Sequence, residues 1–199
     1  MKKLVLSAVL ATSLVSAVSA QGWFVGGEGN YNFKSEIDIT LPNGTYSVSD
    51  STLAIGVKGG YDFDNWRVYG AYIRNAKSSN KAISGSNSAN WKGQDYIIGA
   101  DWTPKINVFK QDLKAIVGGF VGHSNLDTSI RYGSYYLSYD ENGFLYGLRL
   151  GGIYQLAKSH EIEFGFKFSQ ASYDITSGYV RDDIERTNMG LFAGYNYKF

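Results

Sequence analysis

The segment from Asn188 to Phe199 reads NMGLFAGYNYKF, and its apolar and polar positions take turns. In an extended chain Met189, Leu191, Ala193, Tyr195, Tyr197 and Phe199 share one face, and Asn188, Gly190, Gly194, Asn196 and Lys198 share the other. Chain termini usually fray. A strand pattern that continues to the final phenylalanine predicts a last strand with a partner along its whole length.

Seven further segments carry the same period of two. WFVGGEGNYNF sets Trp23, Val25, Tyr31 and Phe33 against Glu28, Asn30 and Asn32. TLAIGVKGGYDF sets Leu53, Ile55, Val57, Tyr61 and Phe63 against Ala54, Gly56, Lys58 and Asp62. WRVYGAYIR opposes Trp66, Val68 and Tyr72 to Arg67, Tyr69 and Ala71, and DYIIGADW opposes Tyr96, Ile98, Ala100 and Trp102 to Asp95, Gly99 and Asp101. LKAIVGGFVGH has Leu113, Ala115, Val117 and Val121 opposite Lys114, Gly118 and Gly122, with Ile116 and Phe120 blurring the pattern. FLYGLRLGGIYQL sets Phe144, Tyr146, Leu148, Leu150 and Tyr154 against Gly147, Arg149, Gly151 and Gln155. EIEFGFKFS sets Ile162, Phe164, Phe166 and Phe168 against Glu161, Glu163, Gly165 and Lys167.

Each segment spans about 8–12 residues, the length a tilted strand needs to cross a bilayer. The connections alternate: long over 34–51, 75–92, 124–142 and 170–186, short over 64–65, 103–111 and 157–160. Short inner turns and long outer loops are the pattern of an outer-membrane barrel. A soluble sandwich or lipocalin-like barrel also alternates. It does not require large aromatics near strand ends, such as Trp23, Phe63, Trp66, Trp102 and Phe168, or so charged an opposite face. The predicted fold is all-β: an eight-stranded antiparallel up-and-down transmembrane β-barrel, closed by pairing of the first and last strands. Closure follows from the solvent, because an unpaired N–H or C=O in hydrocarbon costs several kcal/mol.

The chain starts MKKLVLSAVLATSLVSAVSA. Lys2 and Lys3, a short apolar stretch, and small residues at Val18 and Ala20 predict a signal peptide over 1–20, cleaved after Ala20. A transmembrane helix needs about 20 strongly apolar residues, and this stretch is broken by serine and threonine. Residues 21–199 then form the outer-membrane barrel domain. Of the 19 Lys and Arg, the loss of Lys2 and Lys3 leaves 17 against 18 Asp and Glu, a formal charge of −1. That balance argues against nucleic acid as a partner. The chain has no cysteine and two histidines, so no thiolate or His-rich metal spacing is present and no cofactor is predicted.

With the apolar face turned to lipid, the interior receives Glu28, Lys58, Arg67, Asp95, Asp101, Lys114, Arg149, Glu163, Lys167 and Lys198. Eight strands enclose only enough space for side chains, and unpaired buried charge is costly. A salt-bridged plug is therefore predicted in place of an open channel. The inward glycines either leave room for long Arg and Lys side chains or relieve strand curvature.

The chain resembles the small eight-stranded outer-membrane barrels of Gram-negative bacteria, the OmpA/OmpX-type and opacity-protein-like domains. The likeness covers residues 21–199. Gly194, Tyr197 and Phe199 match the C-terminal assembly signal of that group, while Phe192 stands where the pattern has a polar residue. The resemblance implies a bacterial outer-membrane location and insertion by the barrel-assembly machinery. It also implies contact with outer-membrane lipid and lipopolysaccharide. It leaves the role open, since members serve as structural anchors, adhesins, small pores or, rarely, enzymes. The reading adopted is a monomer with a structural and surface-interaction role. A narrow pore for small solutes and a lipid A-modifying enzyme are the alternatives.

The enzyme alternative centres on GHSNLD, 122–127, with Glu141 in the same loop. His123 and Ser124 are adjacent, so on a strand they point to opposite faces, whereas a base must reach its nucleophile. His160 reads as a solvated turn residue. RDDIER, 181–186, reads as a solvated loop ahead of a calcium site. Tyr132, Tyr135, Tyr136, Tyr139 and Tyr179, with Tyr46 and Tyr173, make the loops tyrosine-rich and suit them to contact a host or surface ligand. SYYLSY is either such a binding edge or the continuation of two strands above the membrane. NAKSSNKAISGSNSANWK carries Lys77, Lys81 and Lys92 with no acid. It reads as a flexible Ser/Asn loop, with lipopolysaccharide phosphates as the other possibility.

Overall fold

The computed structural model describes the backbone of residues 21–41, 44–76, 78–83, 87–106, 113–132, 135–177 and 180–199. The predicted signal peptide lies outside the described residues. Ten strands follow in chain order: β1 (Gln21–Leu41), β2 (Gly44–Phe63), β3 (Trp66–Asn75), β4 (Ser78–Ile83), β5 (Asn87–Trp102), β6 (Lys105–Ile106), β7 (Leu113–Tyr132), β8 (Tyr135–Ala157), β9 (His160–Ser177) and β10 (Val180–Lys198). The order β5-β3-β2-β1-β10-β9-β8-β7 closes on itself through β5–β7 pairing, so eight strands make the ring. β4 and β6 are short additions at its two ends.

The first and last strands pair from Phe24↔Lys198 to Thr40↔Asp183, and the Phe199 N–H donates to the Trp23 carbonyl at 3.0 Å. Strand neighbours traced once around the ring from Asp62 pass Arg67, Asp101, Gly118, Arg149, Lys167, Gly190 and Asn32. The path returns to β2 at Thr52, ten residues earlier. A stagger of this size tilts the strands by roughly 40° and leaves an interior that side chains fill.

The outer surface carries the predicted apolar face. Ile55, Ile98, Leu148, Phe164 and Leu191 each leave half or more of their surface uncovered. Aromatic pairs mark both ends of this belt: Trp66–Trp102 and Tyr61–Phe63 toward the short turns, Tyr72–Tyr96 and Phe144–Tyr146 toward the long hairpins. In water such a belt would be unfavourable, and in acyl chains it is the required surface.

Two sequence expectations change. The ring strands other than β3 are roughly one and a half to two times the predicted length, because most of the long connections are themselves paired strand. β1 and β2 run to Leu41↔Gly44, β7 and β8 to Tyr132↔Tyr135, and β9 and β10 to Val180↔Ser177. SYYLSY is thus strand continued above the belt, and RDDIER belongs to β10. Second, the interior is partly apolar. Ile116 and Phe120 face inward with Phe24, Tyr69, Ile73, Ile97, Leu145, Ile153 and Phe192, all almost fully buried.

Candidate functional site in the barrel interior

Alternation turns every second residue of each strand into the lumen, and the stagger stacks these side chains in tiers. The tier near the short turns centres on Asp62 of β2, which is fully buried. It accepts hydrogen bonds from Arg67 Nε at 3.0 Å and Nη2 at 2.7 Å, and from Lys198 Nζ at 2.9 Å. Arg67 Nη2 also donates to Glu161 at 2.6 Å. Lys114 donates to the Asp64 carbonyl at 2.8 Å and lies 3.8 Å from Asp62. The Arg67 guanidinium sits 5.3 Å from the Phe24 ring centre.

The middle tier joins Glu28, Glu163 and Asp101 to Lys58, Arg149 and Lys167. Glu28 accepts from Lys167 at 2.8 Å and Lys58 at 3.3 Å, with Arg149 at 3.6 Å. Glu163 accepts from Arg149 Nη2 at 2.8 Å and Asn196 at 3.0 Å and is ion-paired with Lys58. Asp101 lies 3.8 Å from Arg149 Nε. The Arg149 guanidinium lies 4.4 Å from the Phe192 ring centre and 5.3 Å from that of Tyr69. Phe192, at the polar position of the assembly signal, therefore faces the lumen as a platform for Arg149.

The outer tier is Asp95 with Arg186. Arg186 Nη2 donates to Asp95 at 2.7 Å and to Ser124 Oγ at 3.1 Å. Ser124 donates to Asp95 at 2.6 Å, Asn75 Nδ2 donates to its other oxygen at 2.9 Å, and the Tyr173 hydroxyl is 2.8 Å from Ser124. Each tier is close to neutral: Asp62, Glu161 and Asp64 face Arg67, Lys198 and Lys114; three acids face three bases in the middle; Asp95 faces Arg186. Local neutrality limits the cost of enclosing so many ions.

All ten interior residues named from the sequence face the lumen. That selection omitted Asp62, Glu161, Arg186, Ser124 and Tyr173. The phase of their strands held the signal: Arg186 continues the inward series of Asn188, Gly190 and Phe192, and Asp62 continues that of Lys58. Tyr173, grouped above with the loop tyrosines, is buried in the outer tier instead. Tyr132, Tyr135, Tyr136 and Tyr139 lie on the β7–β8 hairpin, their side chains outside the described residues, and Tyr179 lies outside them altogether. His123 is on the lipid-facing side and exposed while Ser124 is sealed inside, so the two do not meet. Among the described residues no cluster of His, Asp and Glu is arranged to hold a metal.

Among the described residues the cavities between tiers are small. A cavity of about 20 Å³ touches Asn30, Asn32, Asp95, Lys167 and Ser169, and one of about 10 Å³ touches Ser35, Thr52, Arg186 and Asn188. Each holds about one water.

A closed eight-stranded ring with an apolar exterior and an ion-paired interior is an outer-membrane architecture. The solved structures agree. Neisserial surface protein A superposes with a TM-score of 0.55 at 15% identity, covering 91% of this chain and 98% of that one. OprG from Pseudomonas aeruginosa gives 0.51 at 16%, covering 89% and 96%. Ail, the attachment invasion locus protein of Yersinia pestis, in complex with the heparin analogue sucrose octasulfate, gives 0.50 at 13%, covering 88% and 99%. This chain has the fold of the outer-membrane β-barrels. No protein-family model and no curated protein matches it, so these likenesses speak for the fold.

Proposed function

We propose that this barrel is a plugged, monomeric outer-membrane protein with a structural and surface-interaction role. Its paired hairpins are presented outside the cell. The observation that carries this reading is the middle tier, where Glu28, Glu163, Lys58, Arg149 and Lys167 bond one another across the lumen. A pore would have to break several buried ion pairs at once, each costly to open. Tilted strands that continue 20 residues or so lift the β1–β2, β7–β8 and β9–β10 hairpins clear of the lipid and offer a paired rim to a host or surface ligand. The burial of Ser124 away from His123 supports a non-catalytic role.

Insertion by the barrel-assembly machinery is part of the same reading. The pairing of Phe199 with Trp23 and its ring contact with Tyr197, 5.2 Å between centres, support it. Planar-bilayer recording of the purified protein tests the plug. The expected result is no steady conductance, and large regular openings would overturn the proposal. The lipid A-modifying alternative predicts an altered lipid A mass on expression; an unchanged spectrum is expected.

A further inference from the structure

Gly26 of β1 stands between two inward-facing residues. Its partner on β2 is Lys58, and its partner on β10 is Asn196. Lys58 is almost fully buried and Asn196 is fully buried. Gly26 puts no side chain between them, and a Cβ there would fall on Asn196 Oδ1. The Asn196 amide therefore lies over β1, the strand that separates β10 from β2.

One carboxylate holds both groups. Glu163 Oε1 accepts from Asn196 Nδ2 at 3.0 Å and is ion-paired with Lys58 Nζ, while Glu163 Oε2 accepts from Arg149 at 2.8 Å. An amine and an amide thus meet at a single oxygen atom. Asn196 Oδ1 has no hydrogen-bond partner among the described residues, so no donor anchors the amide carbonyl. The two small interior cavities touch none of Lys58, Glu163 and Asn196, so no water in them competes with the amine.

We propose that the folded barrel forms an isopeptide bond between Lys58 Nζ and Asn196 Cγ, with Glu163 as the catalytic residue. Glu163 takes a proton from the Lys58 ammonium, and the freed amine attacks Cγ. The Nζ–Cγ bond forms and the Cγ–Nδ2 bond breaks. Glu163 passes its proton to Nδ2, which leaves as ammonia, and takes the second proton that Nζ sheds. The step needs no oxidant or co-reactant. Lys58 becomes a neutral amide and Glu163 a neutral acid that still accepts from Arg149 through Oε2. Glu28 and Asp101 then face Arg149 and Lys167, and the tier stays balanced. The reach is adequate: two strand spacings in a curved ring separate the Cα atoms by roughly 9 Å, and an extended Lys–Asn amide link covers roughly 10 Å. The bond ties β2 to β10 across β1 and so fastens the seam where the first and last strands meet. The inference goes beyond the surface-barrel reading and stands whether or not the barrel conducts.

Tryptic digestion of the detergent-folded barrel, read by tandem mass spectrometry, tests it. Residues 35–67 and 187–198 should appear as one branched peptide, lighter than the two together by one ammonia, about 17 Da. Protein purified in urea from inclusion bodies should give the two chains unlinked, and the branched peptide should grow in on refolding. E163Q should slow its appearance about a hundredfold or more, and K58R and N196A should abolish it. A heat-modifiable gel shift checks that each variant is folded, and the time course of the parent protein needs no variant. Unlinked peptides from the folded parent protein, a branched peptide present before folding, or linkage in E163Q at the parent rate would each overturn the proposal.

Discussion

The Arg186 guanidinium, on β10, donates to the Asp95 carboxylate, on β5, at 2.7 Å across the lumen, between positions 91 residues apart. The rim strands on opposite sides of the ring are tied through this pair, and Ser124, Asn75 and Tyr173 surround it.

Breaking that pair on one side leaves a buried charge. Arg186→Met should cost about 3–5 kcal/mol. Asp95→Asn should cost less, because the amide retains part of the hydrogen bonding. The double variant should be more stable than the sum of the singles by about 0.5–3 kcal/mol. Urea unfolding in lipid vesicles, followed by tryptophan emission, reads all three; strict additivity would show that the two groups do not interact.

The plug makes a second prediction. Arg149 holds Glu163, Glu28 and Asp101 and stacks on Phe192. Truncating it together with Glu28 removes the centre of the middle tier. E28A/R149A should pass a small steady current in planar bilayers where the parent protein passes none. A silent but folded double variant would place the seal in the tier of Asp62, Arg67 and Glu161.

Close approach of β8 and β9 gives a third. Gly151 and Gly165 face each other in register, and a Cβ on Gly165 would collide with the Leu150 carbonyl and the Phe192 ring. Backbone cannot yield as a flexible side chain does. Gly165→Ala should therefore destabilise by about 1–3 kcal/mol, seen as a lower urea midpoint. Gly29→Ala, whose Cβ would meet nothing closer than a carbonyl at 3.9 Å, should fall within about 0.5 kcal/mol of the parent protein.

The β2–β3 turn supplies a pH dependence. Asp64 has φ of 75°, and its carboxylate accepts from Lys105 at 3.2 Å and Lys114 at 3.3 Å. Burial acts to raise its pKa, but the two ammonium groups prevail and hold it below the ordinary value of 3.8. A depressed folded pKa gives stability that is full above the unfolded value and is lost as pH falls through the folded one. Asp64→Asn, which tolerates the left-handed backbone, should lose this contribution at neutral pH. It should match the parent protein at a pH well below 3.8. A stability difference that did not vary with pH would contradict this.

The eight membrane segments and their lipid face were legible because a bilayer imposes a strict contrast: each strand meets hydrocarbon on one side and ions on the other. The contrast vanishes above the membrane, where both faces meet water. So the extensions of β1, β2, β7, β8, β9 and β10 read as loops, with Tyr173 on that of β9 and Arg186 on that of β10. Ile116 and Phe120 blurred their segment because the lumen also accepts apolar groups, as Phe120 shows beneath Lys167, 5.1 Å from its ring centre.

Order along the chain fixes which way each side chain points, since the pleat has a period of two and water and acyl chains sort the faces. Order along the chain does not fix which inward groups meet. That depends on the ten-residue stagger of the closed ring, a property of all eight strands together, and it is the stagger that brings Asp95 to Arg186 and Arg149 to Phe192.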